Sequence, residues 1–215
     1  MQNAPQSSIE ILHLPPENTN SVLVRCGDDC VIFDAWGRAD DWIKILDSRG
    51  LHLRAIYSTH GHPDHISAAP ALAAHYDVPW HLARADWDLI GWGGDILDYF
   101  NLPRIVASRP PLDITPGDYE VLPGVWMTAI ATPGHSRGAM VFYFADNGVL
   151  LMGDTLFRDG VGRYDLPGGD VNSLRQSIAR IYDMNLADGV YVVHGHGPDS
   201  TIGILRAQNQ WFGNI

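Results

Sequence analysis

Short apolar runs bounded by turn residues alternate along this chain with stretches of helical period. Val22–Arg25 and Val31–Asp34 read as two arms of a hairpin around Gly27-Asp28-Asp29, with Ala55–Ser58 as a short strand beyond them. A helix is predicted over Ser67–Tyr76, where Pro70 is tolerated only in the first turn, followed by a strand over Val78–Leu82. The plan then recurs. Val125–Ala131 reads as a strand, and Val141–Phe144 and Val149–Met152 flank Asp146-Asn147-Gly148, a strong hairpin turn. Ser173–Tyr182 carries apolar residues at 174, 178 and 181, the spacing of an amphipathic helix, before a last strand, Val190–Val193, and a closing helix, Thr201–Trp211. The repeated order predicts an α/β fold of two similar halves, and residues 1–215 read as a single domain.

The candidate chemistry sits where strands end. Thr59-His60-Gly61-His62, Thr132-Pro133-Gly134-His135 and Val193-His194-Gly195-His196 share a Gly-His step, and the first continues into Pro63-Asp64-His65. A histidine at the end of a buried strand is costly unless its ring nitrogens find partners, so three such endings point to one shared metal site. His60 and His62, two apart in an extended segment, face the same way and can grip one ion, with His135 as its third imidazole. Asp64 and His65 are aimed at a neighbouring position, where His196 joins them. Asp154 follows the apolar Val149-Leu150-Leu151-Met152-Gly153 and is the natural carboxylate bridge between the two. Imidazole and carboxylate without sulfur suit two divalent transition-metal ions, zinc first, with iron or manganese compatible. Asp154 and Asp64 are the catalytic candidates, Asp64 by orienting a water. His194 would make one ligand too many and is read as a support behind the site; His13, His52, His75 and His81 are read as ordinary core or surface residues.

Charge narrows the partners. Fourteen lysines and arginines stand against 25 acidic residues, a formal charge of −11, which opposes binding to a phosphate backbone. No segment approaches the roughly 20 apolar residues that span a bilayer, and Met1–Pro16 lacks the features of a signal peptide, so a cytoplasmic protein without membrane or nucleic-acid partners is expected. Cys26 and Cys30, the only cysteines, flank the first hairpin tip and are expected to be small half-buried thiols rather than a disulfide. There is no nucleophile elbow, Walker loop or complete G-x-G-x-x-G, which places acyl-enzyme and nucleotide chemistry low.

His60-Gly61-His62-Pro63-Asp64-His65, followed in order by His135, Asp154 and His196, resembles the metallo-β-lactamase superfamily and its H-x-H-x-D-H signature. The resemblance implies a four-layer αββα sandwich with two metals at one edge, bridged by Asp154 and a hydroxide. It also implies that Asp34 supports the histidine loop from behind. Gly153–Phe157, Gly162–Asp170 and His194–Pro198 are similar to the small hydroxyacylglutathione hydrolases, the compact type of glyoxalase II, although His194 and Leu205 depart from that group's usual proline and glutamate. The implied activity is hydrolysis of a small-molecule thioester. An iron-dependent persulfide dioxygenase, a lactonase or β-lactamase, and a non-catalytic binding module are the competing readings.

Four further expectations concern the surroundings of the site. Arg163 is expected to fork Asp165 and fix the loop behind the metal edge. Trp92, Tyr99 and Phe100, in a span interrupted by Gly91, Gly93 and Gly94, are expected to fold over the site and line an acyl pocket. Arg158 and Arg206 are expected to supply cations at the mouth for an anionic substrate, with Arg104 and Arg109 as reserves. The substrate itself is expected to be a small thioester or related ester.

Overall fold

The computed structural model describes residues 7–16 and 19–213. A first sheet is built from β1 (Ser8–Leu12), β2 (Ser21–Cys26), β3 (Asp29–Phe33), β4 (His52–Tyr57) and β5 (Trp80–His81), in that spatial order. β1, β2 and β3 are antiparallel; β3, β4 and β5 run parallel. Helix α1 (Ala39–Ser48) makes the crossover from β3 to β4, and α2 (Pro63–Ile66) and α3 (Ala69–Tyr76) lead from β4 to β5. A 3-10 helix, Arg84–Leu89, and α4 (Gly94–Tyr99) precede the second sheet. Its strands are β6 (Gly117–Leu122), β7 (Val125–Ala131), β8 (Met140–Phe144), β9 (Val149–Gly153), β10 (Tyr191–His194) and β11 (Ser200–Thr201), ordered β11-β10-β9-β8-β7-β6. Here α5 (Val171–Asp183) crosses from β9 to the parallel β10, and α6 (Ile202–Gln208) and α7 (Gln210–Gly213) close the chain.

Side-chain alternation makes the four layers. Val22, Val24, Val31 and Phe33 face the second sheet, where Phe142, Phe144, Leu151 and Val193 meet them. Leu23, Cys30 and Ile32 face the opposite way, onto Trp42 and Leu46 of α1 and Leu72 of α3. On the outside of the second sheet, Leu174, Ile178 and Ile181 of α5 pack with Ile202, Leu205 and Phe212. The result is the αββα sandwich. Phe33 anchors its centre, 5.1 Å from the stacked Tyr57 ring and 5.6 Å from Phe144; truncating such a buried phenylalanine to alanine costs about 3–5 kcal/mol. The same alternation keeps the cysteines apart. Arg25 pairs with Cys30 and Cys26 with Asp29, so Cys26 points between the sheets and Cys30 toward the helices; the two are not joined in a disulfide, and burial pushes Cys30 up to about 12.

The two halves are related unit by unit. β2-β3-α1-β4 and β8-β9-α5-β10 are each an antiparallel hairpin followed by a helical crossover to a parallel strand. In both, the strand entering the crossover is followed by an aspartate, Asp34 after β3 and Asp154 after β9, while the strand leaving it runs toward histidines. Ligand sites of open α/β sheets lie beyond the carboxyl ends of their strands, and here two such ends meet.

The expected strand over Val78–Leu82 is reduced to Trp80–His81. The expected helix over Thr201–Trp211 is divided: Ser200 and Thr201 pair with β10, and α6 ends at Asn209, whose side-chain oxygen accepts the Trp211 amide at 2.8 Å and starts α7. Edge strands β1 and β6 are additions to the elements read from the sequence. No helix among the described residues is long and apolar enough to cross a membrane.

Candidate metal centre

Asp34 begins the site. Its backbone is left-handed, φ +51°, which turns the carboxylate toward the end of β4. Oδ1 accepts the Thr59 amide at 2.7 Å and Oδ2 the Thr59 hydroxyl at 2.8 Å. With its proton committed to Asp34, Thr59 Oγ1 can only accept from His60 Nδ1, 3.0 Å away, so His60 directs an unprotonated Nε2 outward. His135 is set in the same manner from the other sheet: Nδ1 donates to the Arg163 carbonyl at 2.7 Å, which turns Nε2 toward His60 and His62. These two nitrogens stand 3.1 Å apart, and His62 Nδ1 stands 2.8 Å from His135 Nε2. Burial and the neighbouring imidazoles hold His60 well below its ordinary pKa, and burial likewise lowers His62 to about 4. Imidazole nitrogens converging in a buried corner are the donor set of a cation, and they suit a divalent transition metal.

A second corner adjoins it. His65 Nδ1 lies 2.9 Å from Asp34 Oδ2, so its Nε2 is turned toward Asp154 Oδ1 at 3.3 Å and His196 Nε2 at 3.3 Å. His196 Nε2 lies 3.2 Å from Asp64 Oδ2 and 3.4 Å from Asp154 Oδ2. Asp154 Oδ2 is also 3.6 Å from His135 Nε2, which places its carboxylate between the two corners. Burial disfavours charge on His65 and His196, but Asp34, Asp154 and Asp64 outweigh it for His65, and Asp154 and Asp64 raise His196 to about 10. Against the same burial, His65 and His196 hold Asp154 well below the carboxylate range. This corner therefore draws positive charge as the first draws a Lewis acid. Ligand atoms fall into the sets His60-His62-His135, His60-His65-Asp154 and Asp64-His65-His196, each within 4.8 Å.

The model of the metallo-beta-lactamase superfamily matches residues 14–196. The chain belongs to this superfamily. It is 32% identical over 205 residues to the hydroxyacylglutathione hydrolase GloC of Haemophilus influenzae, covering 94% of this chain and 96% of that protein. Among solved structures, the B3 metallo-beta-lactamase BLEG-1 matches with a TM-score of 0.84 at 30% identity, covering 95% of this chain and 99% of that one. TTHA1623 in a di-iron-bound form matches with a TM-score of 0.83 at 30% identity, covering 94% and 99%. A superfamily fold with clustered histidine and aspartate groups and a di-iron neighbour supports divalent metals here.

Other residues expected at this superfamily site are placed more variably. His194 is not turned to either corner: its Nδ1 donates to the Leu156 carbonyl at 2.6 Å and its Nε2 accepts from Ser200 Oγ at 2.8 Å, while burial lowers its pKa. Arg163 forks Asp165 at 3.0 and 2.9 Å, but the two side chains are 67% and 63% exposed, and the group that reaches a ligand is the Arg163 carbonyl. Trp92 does face the site, its ring 5.4 Å from His62. Tyr99 and Phe100 do not. Tyr99, in the last turn of α4, is 82% exposed, and Phe100, just past its end, turns inward against Trp36 at 5.4 Å. In their place Ile96 and Phe157, with Pro63, Val161 and Leu166, form the apolar wall of a cavity of about 560 Å³ that ends on His62, Asp64, His135, Asp154 and His196. Arg158 and Arg206 are spent elsewhere, on Asp159 and Asp188, and neither lines the cavity; Arg104 and Arg109 pair with Asp98 and Asp77.

Two supports went unread in the sequence. Asn20 clamps the loop that carries His196: its side-chain amide donates to the carbonyls of His194 and Gly197, both at 2.9 Å, and its backbone amide to the Gly195 carbonyl at 2.8 Å. Asp86 lies beneath the histidines of the first corner. Asn20 stands in an ordinary polar stretch and Asp86 in a helical turn 21 residues beyond His65, so neither carries a local signal.

Proposed function

We propose that this chain is a metal-dependent hydrolase that cleaves a small-molecule thioester, of the hydroxyacylglutathione hydrolase type. The observation that carries this reading is the meeting of both ligand corners, with Asp154 between them, at the closed end of one largely apolar cavity. The likeness to GloC supports the thioester in particular. His60, His62 and His135 would hold one divalent ion and Asp64, His65 and His196 a second, with Asp154 shared. Bound there, such ions supply a hydroxide nucleophile at neutral pH and a Lewis acid for a carbonyl. Zinc is the first expectation, and iron or manganese suits the same donors.

The protein's own groups do the rest. Trp92, Ile96, Phe157 and Val161 present an apolar wall to the acyl chain, exclude water from it and fix the reacting carbonyl at the cavity floor. Asp64, whose carbonyl is pinned by the Thr19 hydroxyl at 2.8 Å, presents its carboxylate on the floor to orient the attacking water. Asp154 holds negative charge there because His65 and His196 lower its pKa against burial. A β-lactam amide would meet the same groups, and the likeness to BLEG-1 makes that the second reading.

The test is a side-by-side assay of metal-loaded protein on S-D-lactoylglutathione, on a chromogenic cephalosporin, and for oxygen uptake with glutathione persulfide. The thioester should turn over fastest. Greater turnover of the cephalosporin, or oxygen consumption without thioester hydrolysis, would replace the reading with lactamase or dioxygenase chemistry.

A further inference from the structure

We infer that Asp86 is a positioning residue that sets the geometry of the three-histidine corner by tying its two ligand loops together. Its side chain belongs to the 3-10 helix Arg84–Leu89, outside both ligand segments, and is fully buried. Oδ2 accepts the Gly61 amide at 2.9 Å, between His60 and His62, and the Ser136 hydroxyl at 2.6 Å, next to His135. Oδ1 accepts the Gly138 amide at 2.6 Å. A buried carboxylate costs several kcal/mol unless its oxygens are satisfied, and here every donor comes from a ligand loop, with none from its own helix.

The glycines make room for it. A Cβ on Gly61 would stand 2.7 Å from the Asp86 carbonyl and one on Gly138 2.8 Å from Asp86 Cγ, so both loops close around this side chain at a distance that only glycine permits. His60 and His62 hang from the first sheet and His135 from the second, and His135 Nε2 is held 3.1 Å from His60 Nε2 and 2.8 Å from His62 Nδ1. Asp86 bridges the two loops with charge-assisted hydrogen bonds, the kind that fixes ligand orientation behind a metal. It also fixes the start of the segment that carries Trp92 to the cavity, so one carboxylate locates both the floor and a wall. Asp86 touches neither loop of the second corner, which is held instead by Asp34 behind His65, the residue that also sets His60 through Thr59, and by Asn20 behind the His194–Gly197 loop.

This inference rests on the metal-binding reading of the site but not on the thioester. It is tested by metal affinity, measured by competition with a chromophoric chelator, in full-length Asp86→Asn and Ser136→Ala proteins, together with the melting temperature of each metal-free form. In Asp86→Asn an amide must face one of the three donors; in Ser136→Ala one bond is lost without a change of charge. Asp86→Asn should bind the tighter metal equivalent about 10- to 100-fold more weakly, Ser136→Ala should fall between it and wild type, and the d–d bands of the cobalt-substituted three-histidine corner should shift. A lower melting temperature with unchanged affinity and unchanged cobalt spectrum in both variants overturns the proposal, leaving Asp86 a fold-stabilising residue only. If wild type itself binds no metal, the metal-site reading fails instead.

Discussion

Asp34 Oδ2 lies 2.9 Å from Nδ1 of His65, and the same oxygen accepts the Thr59 hydroxyl that orients His60. One carboxylate at the end of β3 thus aims a histidine into each corner of the centre. Asparagine tolerates the left-handed backbone at position 34, so Asp34→Asn tests the carboxylate rather than the turn. Metal retained after dialysis against a moderate chelator should fall, with affinity reduced about 10- to 100-fold. Wild-type retention would show that His60 and His65 hold their orientations without it.

The loop behind His135 makes a second contrast. A Cβ at Gly162 would stand 1.8 Å from the Asp154 carbonyl and 2.9 Å from His135 Nδ1, whereas the Arg163–Asp165 pair is solvent-exposed. Exposed pairs contribute at most about 1 kcal/mol. Gly162→Ala should therefore lose metal and activity, while Arg163→Lys keeps its metal content and melting temperature. The reverse ranking, read by elemental analysis of both variants, would return the supporting role to the guanidinium.

Trp92 and Trp36 separate lining from packing. Trp92 is half-buried on the cavity wall beside His62; Trp36 is fully buried against Phe100 and Leu97. Trp92→Ala should change KM and the preference among acyl chains with little change in melting temperature. Trp36→Ala should destabilise by about 3–5 kcal/mol and leave preference alone. A large fall in stability for Trp92→Ala with constant preference would make it a packing residue.

His194 is held by Leu156 and Ser200 rather than by the ligand corners. His194→Phe strands a buried carbonyl and hydroxyl, a cost of about 1–3 kcal/mol, and should lower the midpoint of chemical denaturation. The number of metal ions bound per chain should not change; loss of one ion would place His194 among the ligands.

The sandwich and both ligand corners were legible because they rest on local pattern: two hairpins with turn residues, apolar strands, and histidines placed at their ends. What escaped depends on distance in the chain. Asp86 and Asn20 act on loops 25 and 174 residues away, and nothing in their own neighbourhoods distinguishes them from solvated polar residues. Trp92, Tyr99 and Phe100 share one aromatic stretch of sequence, but Trp92 lies in the turn before α4 and faces the cavity, whereas Phe100 lies past its end and packs on Trp36. The arginines expected at the mouth were misplaced for an electrostatic reason. In a chain with 25 acidic residues, Arg158 and Arg206 find carboxylates close by, at Asp159 and Asp188. Charge reversal at either should accordingly leave KM for S-D-lactoylglutathione unchanged, in kinetics run at fixed ionic strength.

In the proposed function, two ligand corners sharing Asp154 act together as one thioester-cleaving centre. Titrating metal-free protein with zinc, and separately with iron, while following S-D-lactoylglutathione hydrolysis tests it directly. Activity should climb until about two ions are bound per chain, and Asp154→Ala should bind fewer ions and show almost no turnover. Full activity at one ion per chain, or an Asp154→Ala protein that is fully loaded and active, would contradict it.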